Sequence, residues 1–241
     1  MNIKALMAAG TVAAAASALA AVTTTNTLCR IEVDGHSTET ILSVPLIDVC
    51  GTDQSINITN LVMTTNLETG DALMYKDGDT WYAWVIAGGK WTAATTTVGG
   101  KSVTAPDSAA FSRGSGVWLV RGDTSKAKSV YLYGQCDART TSTSFAAGTK
   151  ASPVYTLMGH PKEVAFDPNS VTWTGCAQGD KLAFADASGN TKTLTYRTGK
   201  GWCEVSEVNN VPTWVATTAT IPAGQGFWYV SVGESAGSVT W

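Results

Sequence analysis

Gly70-Asp71-Ala72-Leu73-Met74-Tyr75 returns as Gly179-Asp180-Lys181-Leu182-Ala183-Phe184, and the fold follows from that return. The two copies keep pace beyond it. Gly88-Gly89-Lys90-Trp91 is matched by Gly199-Lys200-Gly201-Trp202, and Gly114-Ser115-Gly116-Val117-Trp118-Leu119-Val120 by Gly224-Gln225-Gly226-Phe227-Trp228-Tyr229-Val230. Each copy closes on a Ser-Val pair, Ser129-Val130 and Ser238-Val239. The offset is about 110 residues and drifts by one or two, as changes in turn length make it drift. A residue kept in both copies serves the fold first. A residue held by one copy alone is the better functional candidate.

Within each copy, short apolar runs are cut by glycine turns. Asp77-Gly78 and Ser188-Gly189 read as hairpin turns between apolar runs. Gly88-Gly89 and Gly99-Gly100 punctuate the chain again. The Gly-x-Gly ahead of Trp118 and Trp228 lets the backbone turn sharply into a strand. It is not a dinucleotide fingerprint, because no helix follows and the third glycine is missing. Residues 28–33 read as a first strand and 40–49 as a second, with Pro45 implying an edge or a bulge. Residues 154–166, with Pro161, are the counterpart before the second copy. Ile58, Leu61 and Val62 have helical spacing and predict one short helix. The pattern predicts an all-β protein of two tandem, similar β-sandwich or barrel-like modules with at most that short helix. The expected boundaries are a first module over 21–134, a linker over 135–152 and a second module over 153–241. The linker is rich in Thr, Ser, Ala and Gly; the alternative is that it holds a strand pairing one copy to the other.

The chain opens on Met1-Asn2-Ile3-Lys4, an alanine-rich apolar run, and Ser17-Ala18-Leu19-Ala20. That order reads as a secretory signal peptide over residues 1–20, cut after Ala20. No later stretch is long and apolar enough to span a membrane. The expectation is a secreted or cell-surface protein. Lys and Arg number 16 against 19 Asp and Glu, and only 15% of residues are charged. That balance excludes nucleic acid, whose phosphates need clustered cations. Export permits disulfides among Cys29, Cys50, Cys136, Cys176 and Cys203. The absence of C-x-x-C and the presence of only two histidines argue against a metal site. Cys176 with Cys203 is the expected pair in the second copy, with a further pair among Cys29, Cys50 and Cys136. Five is odd, which leaves one thiol free or linked to another chain.

Chemistry is scarce. His36 and His160 fall in no metal motif, and Gly114-Ser115-Gly116 has the wrong frame for a nucleophile elbow. Asp71 and Asp180 are the candidates for a glycosidase carboxylate pair. Both follow a glycine at the same place in each copy, so turn capping accounts for them without catalysis. Asp77 and Asp79 flank Gly78 but lack the rest of a calcium loop. Arg121-Gly122-Asp123 spells an integrin-type tripeptide, too short to carry weight. Asn57-Ile58-Thr59 is a glycosylation sequon where the host glycosylates. The reading is no enzyme, no catalytic residue, no cofactor and no metal.

Laying the two hairpins on their glycines, Gly78 on Gly189, matches Ala83 and Val85 with Leu194 and Tyr196. Both copies are apolar there, which marks a core face. The opposite face then reads Tyr82, Trp84 and Ile86 in the first copy against Thr193, Thr195 and Arg197 in the second. Such a stripe packs against the other copy or a loop, contacts a neighbouring molecule, or offers flat rings to a carbohydrate. Trp91, Trp118, Trp202 and Trp228 recur in both copies and read as core.

The Gly-Asp-x-Leu strand, the Trp after a Gly-Lys turn, and Ala223 to Val230 resemble modules of uncharacterised secreted bacterial proteins. Those proteins carry a signal peptide and this β module in one or more copies. The resemblance covers most of residues 40–241 and implies export and fold; it carries over no catalytic residue. The first copy departs from the pattern, with Val117-Trp118-Leu119 in place of Phe227-Trp228-Tyr229. The resulting expectation is a secreted, non-enzymatic structural protein of a bacterial surface or extracellular fibre. It would self-assemble through β edges and the Tyr82–Trp84–Ile86 stripe. The alternative is a carbohydrate-binding or adhesion protein that uses Tyr82 and Trp84. The partners expected are further copies of itself or a glycan.

Overall fold

The computed structural model describes residues 27–34, 39–49, 51, 53–106, 109–122, 129–208 and 211–241. The signal peptide, His36, Cys50 and Asp123 lie outside the described residues. The first module runs through β1 (Leu28–Val33), β2 (Glu39–Ser43), β3 (Ser55–Asn57), the single helical turn α1 (Ile58–Leu61), β4 (Ala72–Asp77) and β5 (Thr80–Ala87). It closes with β6 (Lys90–Ala93), β7 (Ala110–Ser112), β8 (Gly116–Val120) and β9 (Val130–Gln135). Its main sheet has the order β2-β8-β4-β5-β6, and the small pairs β1-β9 and β3-β7 lie over it. Leu73, Trp84, Val117 and Leu119 of the main sheet bury against Ile31, Val33, Val130 and Leu132 of β1 and β9.

The second module repeats the plan. Its elements are β10 (Ser142–Phe145), β11 (Val154–Gly159), a 3-10 turn (Pro168–Ser170), β12 (Thr172–Thr174), β13 (Lys181–Ala185) and β14 (Thr191–Arg197). Then come β15 (Gly201–Val208), β16 (Val211–Ala216), β17 (Gly226–Ser231) and β18 (Gly237–Thr240). The main sheet is β11-β17-β13-β14-β15-β16 and the facing sheet β10-β18-β12. Leu182, Leu194, Trp202, Phe227 and Tyr229 form its core with Phe145 and Val239. The protein is therefore all-β, two stacked-sheet units with one helical turn and one 3-10 turn among the described residues. Local details repeat as well. Asn57 Oδ1 accepts the Thr59 amide at 3.0 Å to cap α1, and Asp167 Oδ1 accepts the Asn169 amide at 2.8 Å to cap the 3-10 turn. Ile56 faces Phe111 across β3 and β7, and Phe166 faces Ile221 at the same place in the second module. The aromatic has changed sides, which keeps the volume of the pair.

The stretch expected to link the modules holds β10. It pairs with β18 of its own module, not with the first copy, as β1 pairs with β9. The second repeat unit thus begins one strand earlier than the composition suggests.

The hairpin comparison is corrected by register. Two residues separate the last pair Asp77–Thr80 of the first hairpin, whereas residues 186–190 join Ala185 to Thr191 in the second. Gly78 and Gly189 are therefore not equivalent. Leu73 pairs with Trp84 and Leu182 with Leu194, so Trp84 corresponds to Leu194. A slip of one residue exchanges the two faces of a strand. The Tyr82–Trp84–Ile86 face is the inward one: Trp84 is 5% exposed and Ile86 is buried, and Tyr82 stacks on Tyr75 with ring centroids 4.9 Å apart. Ala83 and Val85 point outward instead. Trp91 and Trp202 are inward-facing as expected, but Trp118 and Trp228 are half-buried on the outer faces, between inward Val117 and Leu119 or Phe227 and Tyr229.

The modules meet reciprocally. The Ser43 amide donates to the Gly224 carbonyl at 2.7 Å, and the Gly159 amide donates to the Gly114 carbonyl at 2.8 Å. Leu42 bridges to Gln225 as Met158 bridges to Ser115. Ser43 and Gly159 hold equivalent places at the ends of β2 and β11. The contact is therefore self-complementary in the manner of a two-fold dimer built within one chain. It also explains the Gly-x-Gly motif. The first glycines, Gly114 and Gly224, have φ of +90° and +72° and make the turn. The second ones admit the other module. A Cβ on Gly116 would stand 2.7 Å from Met158 backbone atoms, and one on Gly226 would stand 2.8 Å from the Leu42 carbonyl oxygen.

Candidate functional site

The carboxylates that sequence nominated for chemistry are built into turns. Asp71 Oδ2 accepts the Glu68 amide at 3.0 Å and Oδ1 the Gly122 amide at 2.9 Å. Asp180 repeats both contacts, with Ala177 at 2.8 Å and Val232 at 2.7 Å. Each side chain thus ties the turn before its strand to the chain leaving β8 or β17. Both are buried. They differ in the group that meets the carboxylate. Arg121 donates to Asp71 at 2.8 Å, whereas the Tyr229 hydroxyl donates to Asp180 at 2.5 Å. Burial first, then the bond to Asp180, push the Tyr229 phenol far above its ordinary value. Arg121, the first residue of the integrin-type tripeptide, is buried in this pair and is not displayed.

The cysteines follow the expectation in the first module and depart from it in the second. Cys29 and Cys136 stand at disulfide distance, with Cα atoms 6.1 Å apart, and close the first module at β1 and β9. Cys176 and Cys203 are free. They lie on opposite sides of the sheet. Cys176 packs against the core beside Tyr229, while Cys203 follows the inward Trp202 and so points outward. Burial raises the Cys176 thiol to about 11, and Cys203 is fully buried, so neither is a reactive surface thiol.

Arg113 has no cationic counterpart in the second copy, where Ala223 stands at its place, and it is a residue the sequence reading passed over. Its guanidinium is buried and donates to the carbonyls of Asp137 and Arg139, and to Gln54 Oε1 at 3.2 Å. Lys162 donates to the Ala138 carbonyl at 3.2 Å from the other module. Single-copy charges here clamp the passage between the copies. Beside them His160 is buried, stacked on Phe166 at 4.3 Å and edge-on to Trp241 at 5.0 Å. Burial is the main cause that pushes its pKa down to about 4. Among the described residues no group of three His, Cys, Asp or Glu side chains is placed to hold a metal ion. Among the described residues no helix is long and apolar enough to cross a membrane.

The largest departure between the copies is at the end of the fourth strand of each hairpin system. In the first module the chain leaves β6 at Ala94 and crosses the outer face of its own sheet. Ala94 and Val103 bury there with Met74 and Ala83, beside Trp118 and Val120. In the second module no such crossing occurs. β14 pairs with β15 only over Gly201–Cys203, yet β15 and β16 stay paired out to Val208–Val211. The result is a two-stranded arm that leaves the sheet. Val205, Val211 and Val215 on it are 55%, 60% and 40% exposed. Arg197 stacks over the Trp214 ring at 3.9 Å at its root. The outer face that lacks a cover carries a row of directly paired residues, Leu157, Trp228, Ala183 and Thr193, none of them fully buried. Tyr155 beside them is 55% exposed.

The arm, and the outer face at the opposite end of the same sheet, carry exposed apolar area; the Tyr82–Trp84–Ile86 stripe does not. No family model matches the chain, and no curated protein or solved structure matches it.

Proposed function

We propose that this chain is a secreted, non-enzymatic structural protein that associates with further copies of itself at a cell surface or in an extracellular fibre. The observation that carries the reading is the β15–β16 arm. A lone two-stranded ribbon is marginal in water, and this one turns valines outward on both faces. Such area is normally covered by a partner. The buried Asp71 and Asp180, each occupied by backbone amides, leave the reading without a carboxylate pair for hydrolysis. The association proposed is non-covalent with respect to Cys203, which is buried, and Cys176, which is half-buried against the core. Nor does it use the aromatic stripe of the first hairpin, which belongs to the core.

Light scattering on the chain from Ala21 onward, across a concentration series with and without reductant, tests the reading. Mass that rises with concentration in both conditions, with regular filaments or sheets by electron microscopy, is the expected result. A monomer throughout would sink it.

A further inference from the structure

We propose that the β15–β16 arm of one molecule lies across the outer face of the second module's main sheet in a second copy of this chain. The inference rests on the self-association just argued and specifies the two surfaces that meet.

The first module shows what this face takes. Met74, Trp118 and Val120 on its outer side correspond in register to Ala183, Trp228 and Val230. There the cover is a segment of small and β-branched residues. Gly99 of that segment lies so close that a Cβ would stand 3.3 Å from Met74 Sδ and 3.4 Å from Val120. The second module sends the chain elsewhere at the matching point, and so leaves two apolar surfaces where the first has none. One is the arm, with Val205 and Trp214 paired on its outer side. The other is the face with Tyr155, Leu157 and Trp228.

The root of the arm reaches only the near part of its own outer face, where Trp214 takes Arg197 and where Thr195 and Cys203 are buried. Tyr155, Leu157 and Trp228 sit on β11 and β17 at one end of the sheet, and the arm leaves from the other end. Three strand spacings separate β17 from β15, about 15 Å at ~4.8 Å each. The first module covers that distance with a single flexible strand of chain. A paired ribbon is stiffer, and it diverges from β14 after Cys203. The face of a second molecule has no such constraint.

The contact is made by the faces of the ribbon. The Thr217 amide donates to the Trp202 carbonyl at 2.9 Å, which sets the alternation along β16. On that alternation the amide position of residue 212 points to the free edge, where Pro212 has no proton to give. Proline on an edge strand blocks edge-to-edge pairing. Charge also agrees: exposed Glu207 is on the arm and exposed Lys181 on the face. Because arm and face are different surfaces, the contact is head-to-tail.

Two variants and their mixture test this. Val205→Lys spoils the arm on the side it shares with Trp214; Tyr155→Lys spoils the face. Both positions are exposed, so thermal midpoints should match the parent. Each variant alone should scatter as a monomer at concentrations where the parent assembles. Mixed, they should give a one-to-one heterodimer, since one intact arm then meets one intact face. If the parent assembles and the arm variant assembles equally well, the inference is overturned while self-association stands. If the mixture stays monomeric although each single variant is monomeric, the head-to-tail contact is overturned. A parent that stays monomeric overturns both. If that monomer is retarded on an immobilised polysaccharide and Tyr155→Lys is not, the face belongs to a sugar.

Discussion

Asp71 and Asp180 do the same work with different partners, and the difference is measurable. Tyr229→Phe removes one bond to a buried carboxylate and should cost about 1.5–3 kcal/mol. Arg121→Ala removes the guanidinium that stands 2.8 Å from Asp71 and strands a buried charge, so about 3–5 kcal/mol is expected. Urea titrations of the two variants should therefore rank Arg121→Ala as the more damaging; the reverse order would show that the backbone amides alone satisfy Asp71. His160 makes a second prediction at this scale. Its pKa falls from about 6.5 in the unfolded chain to about 4 in the fold. The unfolded state therefore binds more protons in between, and stability falls as pH drops from about 6.5 through about 4. The stability this group contributes is full above that window and lost below it, on the order of 3 kcal/mol. His160→Phe keeps an aromatic against Phe166 and should flatten the slope of unfolding free energy between pH 7 and 4. An unchanged slope would assign the acid sensitivity to other groups.

Strands and turns were legible because their signals are local: glycines between alternating apolar runs, and the helical spacing of Ile58, Leu61 and Val62. The direction of each face was not. It depends on a one-residue difference in turn length between Asp77–Thr80 and the equivalent Asp186–Asn190, and a period of two turns that error into a complete exchange of inside and outside. Arg113 was passed over, and the repeat test would have misread it for another reason. A residue present in one copy only can serve the joint between copies, which exists once. The arm had a signal that went unread: Val208-Asn209-Asn210-Val211 places two turn-forming residues between β-branched ones. The second glycine of Gly-x-Gly was visible as a glycine, but its reason lies in another module. Its role predicts that Gly116→Val and Gly226→Val each loosen the contact between modules while leaving each core intact. Two separate transitions in calorimetry, where the parent shows one, would be the sign. A single transition shifted downward would place the damage inside one module.

At the scale of the whole molecule, the reciprocal contact at Ser43, Gly114, Gly159 and Gly224 uses up the self-complementary surface of both copies. The association proposed above therefore uses surfaces the copies do not share, and the arm is one of these. The bond between Cys29 and Cys136 has a consequence of its own. It spans 107 residues and joins the first strand of the first module to the last. A pull applied at the chain ends enters at β1, passes through the sulfurs and leaves at Cys136, bypassing everything between. In a tethered molecule only the second module can then pay out under tension. Stretching single molecules with optical tweezers should show one release of roughly 35 nm, at ~3.4 Å per residue. Added reductant should bring a second release of similar length, and two releases without it would mean that the bond is not formed. One half of the chain is thus a clamp of fixed length, and the other is the spring.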